Sequence, residues 1–212
     1  MHIALGSGKE CGGNCQRAAI VAGKLTLPLA ESGAQIFALE PGKDLASCLS
    51  AKTKRHNVKV KIGEFEKYDF GNKTFDAVVF ATSFHWIDKK VRAGKAGRLL
   101  RPGGFAAVIE THHVAGGTEG FFRDSQNCYK KWDHNPRDGY TLPDSNEING
   151  QDLIKELSLE FRPAHSRGYE WTAIYESVEY ESLLGTYSDI LKMPRAERDG
   201  LVSCIRELID TR

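Results

Sequence analysis

The chain has 212 residues, 41% of them hydrophobic and 27% charged, with 29 basic against 28 acidic side chains and a net charge of +1. That balance gives nucleic acid and anionic membranes no electrostatic hold as main partners, and no apolar run approaches the roughly 20 residues of a membrane helix. The length fits one domain with a modest appendage and a sizeable core. The odd, scattered set of five cysteines fits a reducing cytoplasm better than a disulfide framework.

In chain order, residues 18–31 pass from small and apolar into the helix-like LTLPLAES, with Gly33 as a helix stop. Gln35 to Leu39 is a short apolar run that ends at Glu40, and Pro41-Gly42 makes a turn. Residues 43–54 predict a helix. Val58, Val60 and Ile62 alternate with lysines, as in a strand with one wetter face. Phe75 to Phe80 is continuously apolar, as expected of a strand buried on both faces. Residues 88–100 predict a helix with Ala93, Ala96, Leu99 and Leu100 on one side; Arg101-Pro102-Gly103-Gly104 ends it before a strand from Phe105 to Ile109. Beyond residue 115 the periodicity lapses: a short helix around Phe121 to Trp132, a helix over 151–160, a strand within Phe161 to Trp171, and helices over 178–191 and 195–210.

Strands alternating with helices predict an α/β fold: a Rossmann-like, doubly wound, mostly parallel sheet with helices on both faces. Residues 1–115 are expected to form its core, and residues 116–212 a helical flank or lid together with the part that completes the sheet. Such a sheet carries its chemistry on loops just after its strands. One of them, Ala81 to Trp86, holds two small polar residues, a histidine and two aromatics.

ALEPG at 38–42, GEFEKYDF at 63–70, FDAVVFATSFHWID at 75–88 and LLRPGG at 99–104 together resemble the class I S-adenosylmethionine-dependent methyltransferases, most closely the small-molecule, methyltransferase-domain branch. The resemblance covers roughly residues 23–210. It implies S-adenosylmethionine as cofactor, a small-molecule acceptor, and neither nucleic acid nor membrane as partner. It also implies roles for individual residues. Glu40, followed by Pro41, would accept hydrogen bonds from the paired ribose hydroxyls. Glu64 would face the exocyclic amine of adenine, and Phe65 would either stack on the ring or sit in the core beneath the loop. Glu66 is expected to face solvent. Ala81 and Thr82 would approach the amino acid portion of the cofactor, and Gly23 is the last glycine of the first loop.

Phe84 and Trp86 can place an aromatic face near the sulfonium, a contact worth roughly 0.5–2 kcal/mol, or cap the core. His85 and His112 are the candidate catalytic residues, since a histidine can take a proton from an acceptor hydroxyl or amine near neutral pH. His112 and its neighbour His113 point different ways from a strand end, so at most one of them is expected to face the site. No metal site is expected: the histidines and cysteines lack a ligand spacing, including Cys11 and Cys15.

Two departures from the family pattern stand out. Its first glycine loop, E-x-G-x-G-x-G, aligns with Arg17 to Gly23, which puts Ala19 and Val21 where glycines are expected. Both ends are short, so the sheet is expected to lack its last antiparallel strand, and the chain reads as a truncated or frame-disturbed copy. Three functions compete: a methyltransferase, a non-catalytic remnant or binding protein on the same fold, and a nicotinamide-dependent oxidoreductase. The last needs a G-x-G-x-x-G turn that the chain does not contain.

Overall fold

The computed structural model describes residues 2–6, 18–21, 25–133 and 141–212. Gly23, Cys11, Cys15 and Tyr140 lie outside them. The elements run β1 (His2–Gly6), β2 (Ala18–Val21), α1 (Thr26–Glu31), β3 (Ile36–Glu40), α2 (Lys43–Lys52), β4 (Val58–Ile62), β5 (Phe75–Ala81), α3 (Arg92–Leu99), β6 (Leu100–Glu110), α4 (Glu119–Trp132), α5 (Gln151–Leu157), β7 (Ala164–Gly168), α6 (Ser177–Leu184), α7 (Ser188–Lys192) and α8 (Arg195–Asp210). Single 3-10 turns lie at Phe84–Trp86 and Ser145–Glu147. The chain divides into two units, Met1–His112 with Ile148–Tyr169, and His113–Glu147 with Glu170–Arg212.

The first unit is one sheet of order β4-β3-β2-β5-β6-β1-β7. β2, β3, β4, β5 and β6 are mutually parallel, whereas β1 runs antiparallel to both β6 and β7. The expected α/β class is therefore present, but one expectation is corrected. An antiparallel strand does stand beside the last one, and it comes from the beginning of the chain, residues 2–6. The sequence reading found no element there because five residues carry too little periodicity to mark a strand.

The period of two decides which side chain meets which helix layer. Phe37 and Leu39 of β3 and Val78 and Phe80 of β5 point to one face, where they pack with Phe65, Phe70, Phe84 and α3. Ile36, Ala38, Ala77 and Val79 point to the other, against Leu29 of α1 and Leu49 of α2. One face is thus filled by aromatic rings. The other carries alanines, including Ala107 of β6, which leave the flanking helices room to approach closely.

The second unit is helical and has its own core of Cys128, Leu184, Ile190, Leu201 and Ile205. The predicted helix over 178–191 is broken into α6 and α7, with Gly185, Thr186 and Tyr187 between them. Cys128 of α4 and Cys204 of α8 form a disulfide across 76 residues, a pairing that the scattered cysteine pattern did not lead us to expect; Cys48 is free and exposed. Tyr129 and Trp132 pack against this core, and burial raises the Tyr129 phenol well above its usual range.

Gly200, in the first half of α8, fits under the Trp132 indole. A Cβ there would come within 2.6 Å of ring carbons Cε3 and Cζ3. Helix propensity alone favours Gly200→Ala by about 1 kcal/mol, but overpacking against a fixed ring costs about 1–3 kcal/mol. The expected net result is a lower unfolding midpoint, measured by thermal melting, where propensity alone predicts a higher one.

Candidate active site

The sheet order turns at β2: β3 and β4 lie to one side, β5 and β6 to the other. A parallel sheet opens a crevice at such a turn, beyond the carboxyl ends of its strands, and most of the sequence-derived candidates lie on the loops at that edge. Glu40 is the last residue of β3 and is only 8% exposed. Its Oε1 accepts a 2.9 Å hydrogen bond from the Gly42 N–H. Any side chain at 42 would start 3.2 Å from that oxygen, so Gly42 keeps the approach to the carboxylate open. Pro41 between them is exposed.

The loop after β4 is arranged differently from the sequence reading. Glu64 is exposed and pairs with Lys67 at 2.6 Å, which holds the Lys67 ammonium above its ordinary value. Phe65 is 2% exposed, edge-on to Phe80, and belongs to the core beneath the loop. Of its two sequence readings the structure takes the packing one, because the alternation that exposes Glu64 turns its neighbour inward. Glu66 is not simply in solvent: its Oε1 accepts the backbone N–H of Asp88 at 3.0 Å. Lys95 of α3 donates to the carbonyls of Glu66 and Tyr68 at 2.9 and 2.8 Å, and burial, followed by the Arg98 charge, lowers its ammonium. The two loops at this edge are tied together.

Ala81 ends β5 and is buried; Thr82 follows, exposed, at φ +51°. Its N–H still donates to the Ile109 carbonyl at 2.8 Å, which extends the ladder by one step before the backbone turns left-handed. That conformation strains a β-branched residue, and such strain collects at functional loops. Phe84, at 1% exposure, packs edge-on to Phe80 and serves the core. It therefore offers no ring face at the loop surface. His85 and Trp86 remain outside, with ring centroids 4.9 Å apart and Trp86 64% exposed.

Sequence reasoning missed the residue that holds this turn. Arg92 is 5% exposed. It donates from Nη1 to the Phe84 carbonyl at 2.7 Å and from Nε and Nη2 to Glu156 of α5 at 2.6 and 2.5 Å, and its guanidinium carbon lies 4.0 Å from the Phe84 ring centroid. A charged residue 64 positions from its partner gives no local signal.

At the end of β6, His112 Nε2 stands 3.5 Å from Glu110 Oε2. Its neighbour His113 belongs to the second unit, where Nε2 lies 3.1 Å from the Tyr187 hydroxyl. Burial pushes that phenol up to about 12. The first-unit site therefore carries Glu40, Thr82, His85, Trp86 and His112 at exposed or strand-end positions, while Phe65 and Phe84 lie beneath it. Ala19 and Val21, aligned to a glycine loop, lie instead within β2, paired with β3 and β5. Val21 and Thr26 are separated by four residues.

Among the described residues no helix is long and apolar enough to cross a membrane. The family model described as "Methyltransferase domain" matches residues 18–108. An uncharacterized methyltransferase of Mycobacterium tuberculosis is 23% identical over 189 residues, which covers 89% of this chain and 70% of that protein, and one of Mycobacterium bovis matches equally. Among solved structures, the CcbJ methyltransferase from Streptomyces caelestis is 24% identical with a TM-score of 0.41, over 44% of this chain and 42% of that one. The glycopeptide N-methyltransferase MtfA, complexed with S-adenosyl-L-methionine, is 20% identical with a TM-score of 0.39, over 44% of this chain and 46% of that one. The chain thus spans less than half the length of either structure. The parallel strands that turn at β2 thus lie, but for the end of β6, within the stretch, residues 18–108, that matches the methyltransferase-domain model.

Proposed function

We propose that this protein moves a methyl group from S-adenosylmethionine to a small-molecule acceptor, with neither nucleic acid nor membrane as partner. The observation that carries the reading is Glu40: a carboxylate nearly removed from water, at the end of the strand beside the turn of the sheet, anchored through one oxygen and approachable past a glycine. A buried carboxylate needs donors, and the two hydroxyls of a ribose supply them.

When bound, that cofactor provides an electrophilic methyl group and departs as a neutral thioether. The chain's own part is positioning, which can contribute several kcal/mol. Glu40 orients the nucleoside, Thr82 fixes the loop through its ladder bond, and the exposed His85–Trp86 pair lines the edge. A proton taken from an acceptor at His112 Nε2 would have the Glu110 carboxylate beside it.

A non-catalytic reading has one observation in its favour, the strand conformation of Ala18–Val21 where the family has a flexible glycine loop. Isothermal titration separates the two. Micromolar binding of S-adenosylmethionine and its demethylated product is expected, weakened roughly 10–100-fold in Glu40→Gln, because a hydrogen bond to a charged group contributes about 1.5–3 kcal/mol. A folded chain that binds neither ligand would favour the non-catalytic protein. Full-affinity binding by Glu40→Gln would remove Glu40 from the site.

A further inference from the structure

After β4 the chain folds back on itself in a closed turn, Gly63 to Tyr68. The Lys67 and Tyr68 N–H groups both donate to the Glu64 carbonyl, at 3.2 and 2.9 Å. The Tyr68 ring lies against Gly63, where a Cβ would come within 2.8 Å of ring carbon Cδ2. At its first residue the turn is bonded to the site itself: the Gly63 N–H donates to the Glu40 carbonyl at 3.1 Å, and Ile62 opposes Glu40 in the sheet. A shift of this turn is therefore felt beside the Glu40 carboxylate.

The far end of the turn is held by Lys95 of α3. Its Nζ donates to the Glu66 carbonyl at 2.9 Å and to the Tyr68 carbonyl at 2.8 Å. It also lies 5.6 Å from the ring centroids of both Phe65 and Phe70, within the range over which a ring face attracts a cation. An ammonium has three donors, and two of these are given to one turn, although burial lowers the group. Glu66 is the joint: its carbonyl takes Lys95, while its carboxylate takes the Asp88 N–H at 3.0 Å, just past Trp86. Burial of Phe65 is non-directional and fixes how deep the turn sits. Hydrogen bonds are directional and fix how its peptide planes point.

We propose that Lys95 is a positioning residue for cofactor binding: from beneath, it holds the turn 63–68 in the arrangement that meets a nucleoside seated on Glu40. This rests on the function proposed above. Lys95 acts through the Glu66 and Tyr68 peptides and not by touching the ligand. Apparent affinity falls with the fraction of time that the competent arrangement is populated. Loss of the ammonium therefore weakens binding without unfolding the protein, because Glu66 and Tyr68 are only half-buried and water can replace the lost donors.

The test compares wild type with Lys95→Met, which keeps the stem and removes the donors, and with Lys95→Arg, which keeps charge and donors. Isothermal titration with S-adenosylmethionine is expected to show about tenfold weaker binding by Lys95→Met, as for a turn that is competent about a tenth of the time. Lys95→Arg should recover most of it, and the urea midpoints of the three proteins should agree. Equal affinity in Lys95→Met would overturn the proposal. So would a loss that tracks a lowered urea midpoint and is not recovered by arginine, since Lys95 would then be a structural residue. Hydrogen exchange reads the turn without any ligand: the Lys67 and Tyr68 amides are expected to exchange faster in Lys95→Met, with β3 and β5 at the wild-type rate. Unchanged exchange at these two amides overturns the proposal by itself. If wild type binds no adenosyl ligand, the proposed function fails and takes the cofactor role of Lys95 with it, and hydrogen exchange still decides whether Lys95 sets the turn.

Discussion

Reducing the Cys128–Cys204 bridge is expected to destabilise the helical unit by about 2–4 kcal/mol, the usual value for a bridge that closes a long loop. The loop is long here, with 76 residues of separation, and the bridge joins the two stretches of chain, His113–Glu147 and Glu170–Arg212, from which that unit is built. Without it, α4 and α8 are held by side-chain packing and by the ion pair of Asp124 with Arg212 just past the end of α8. Hydrogen exchange with and without reductant should show faster exchange in α4, α6 and α8 while β3 and β5 keep their protection. Thiol labelling of the unfolded, unreduced protein gives an independent check: if Cys128 and Cys204 both label, the bridge is not formed in solution and the reductant has nothing to remove.

Arg92→Met is expected to cost about 3–5 kcal/mol, because it breaks a buried ion pair and leaves a carboxylate behind. The Glu156 side chain keeps 21% of its exposure, which puts the loss toward the lower end. The Phe84 carbonyl loses its donor as well, so the turn that presents His85 and Trp86 should loosen. The double variant Arg92→Met/Glu156→Leu should recover most of the stability, since two apolar side chains can replace a buried pair at little cost. Urea denaturation of the three proteins measures all of this. A single variant within about 0.5 kcal/mol of wild type, the range of an ordinary surface change, would mean that the pair is a surface contact.

How much of this was legible in the sequence follows from the range of each signal. The buried strands β3 and β5 announced themselves because burial on both faces demands unbroken apolar runs, and Glu40 was found because it is the first charge after one. The inward turn of Phe65 and Phe84 was not decidable, since an aromatic residue next to a loop satisfies either role until its neighbours are placed. The Arg92–Glu156 pair, the Cys128–Cys204 bridge and the Glu66–Asp88 hydrogen bond join residues distant in the chain, and nothing in a local window reports them. β1 was missed for the opposite reason: it is too short to show a period, and its identity as a strand lies wholly in its partners.

The position of β1 also bears on how the chain is made. Residues 2–6 leave the ribosome before either strand they pair with, and the outer partner, Ala164–Gly168, follows by more than 150 residues. At roughly 5–20 residues per second, that interval is on the order of ten seconds or more, during which the parallel strands can assemble with one edge still open. Sheet closure is therefore a late, long-range event, and the outer edge of β1, which waits for β7, is the surface a holding chaperone would meet on the nascent chain.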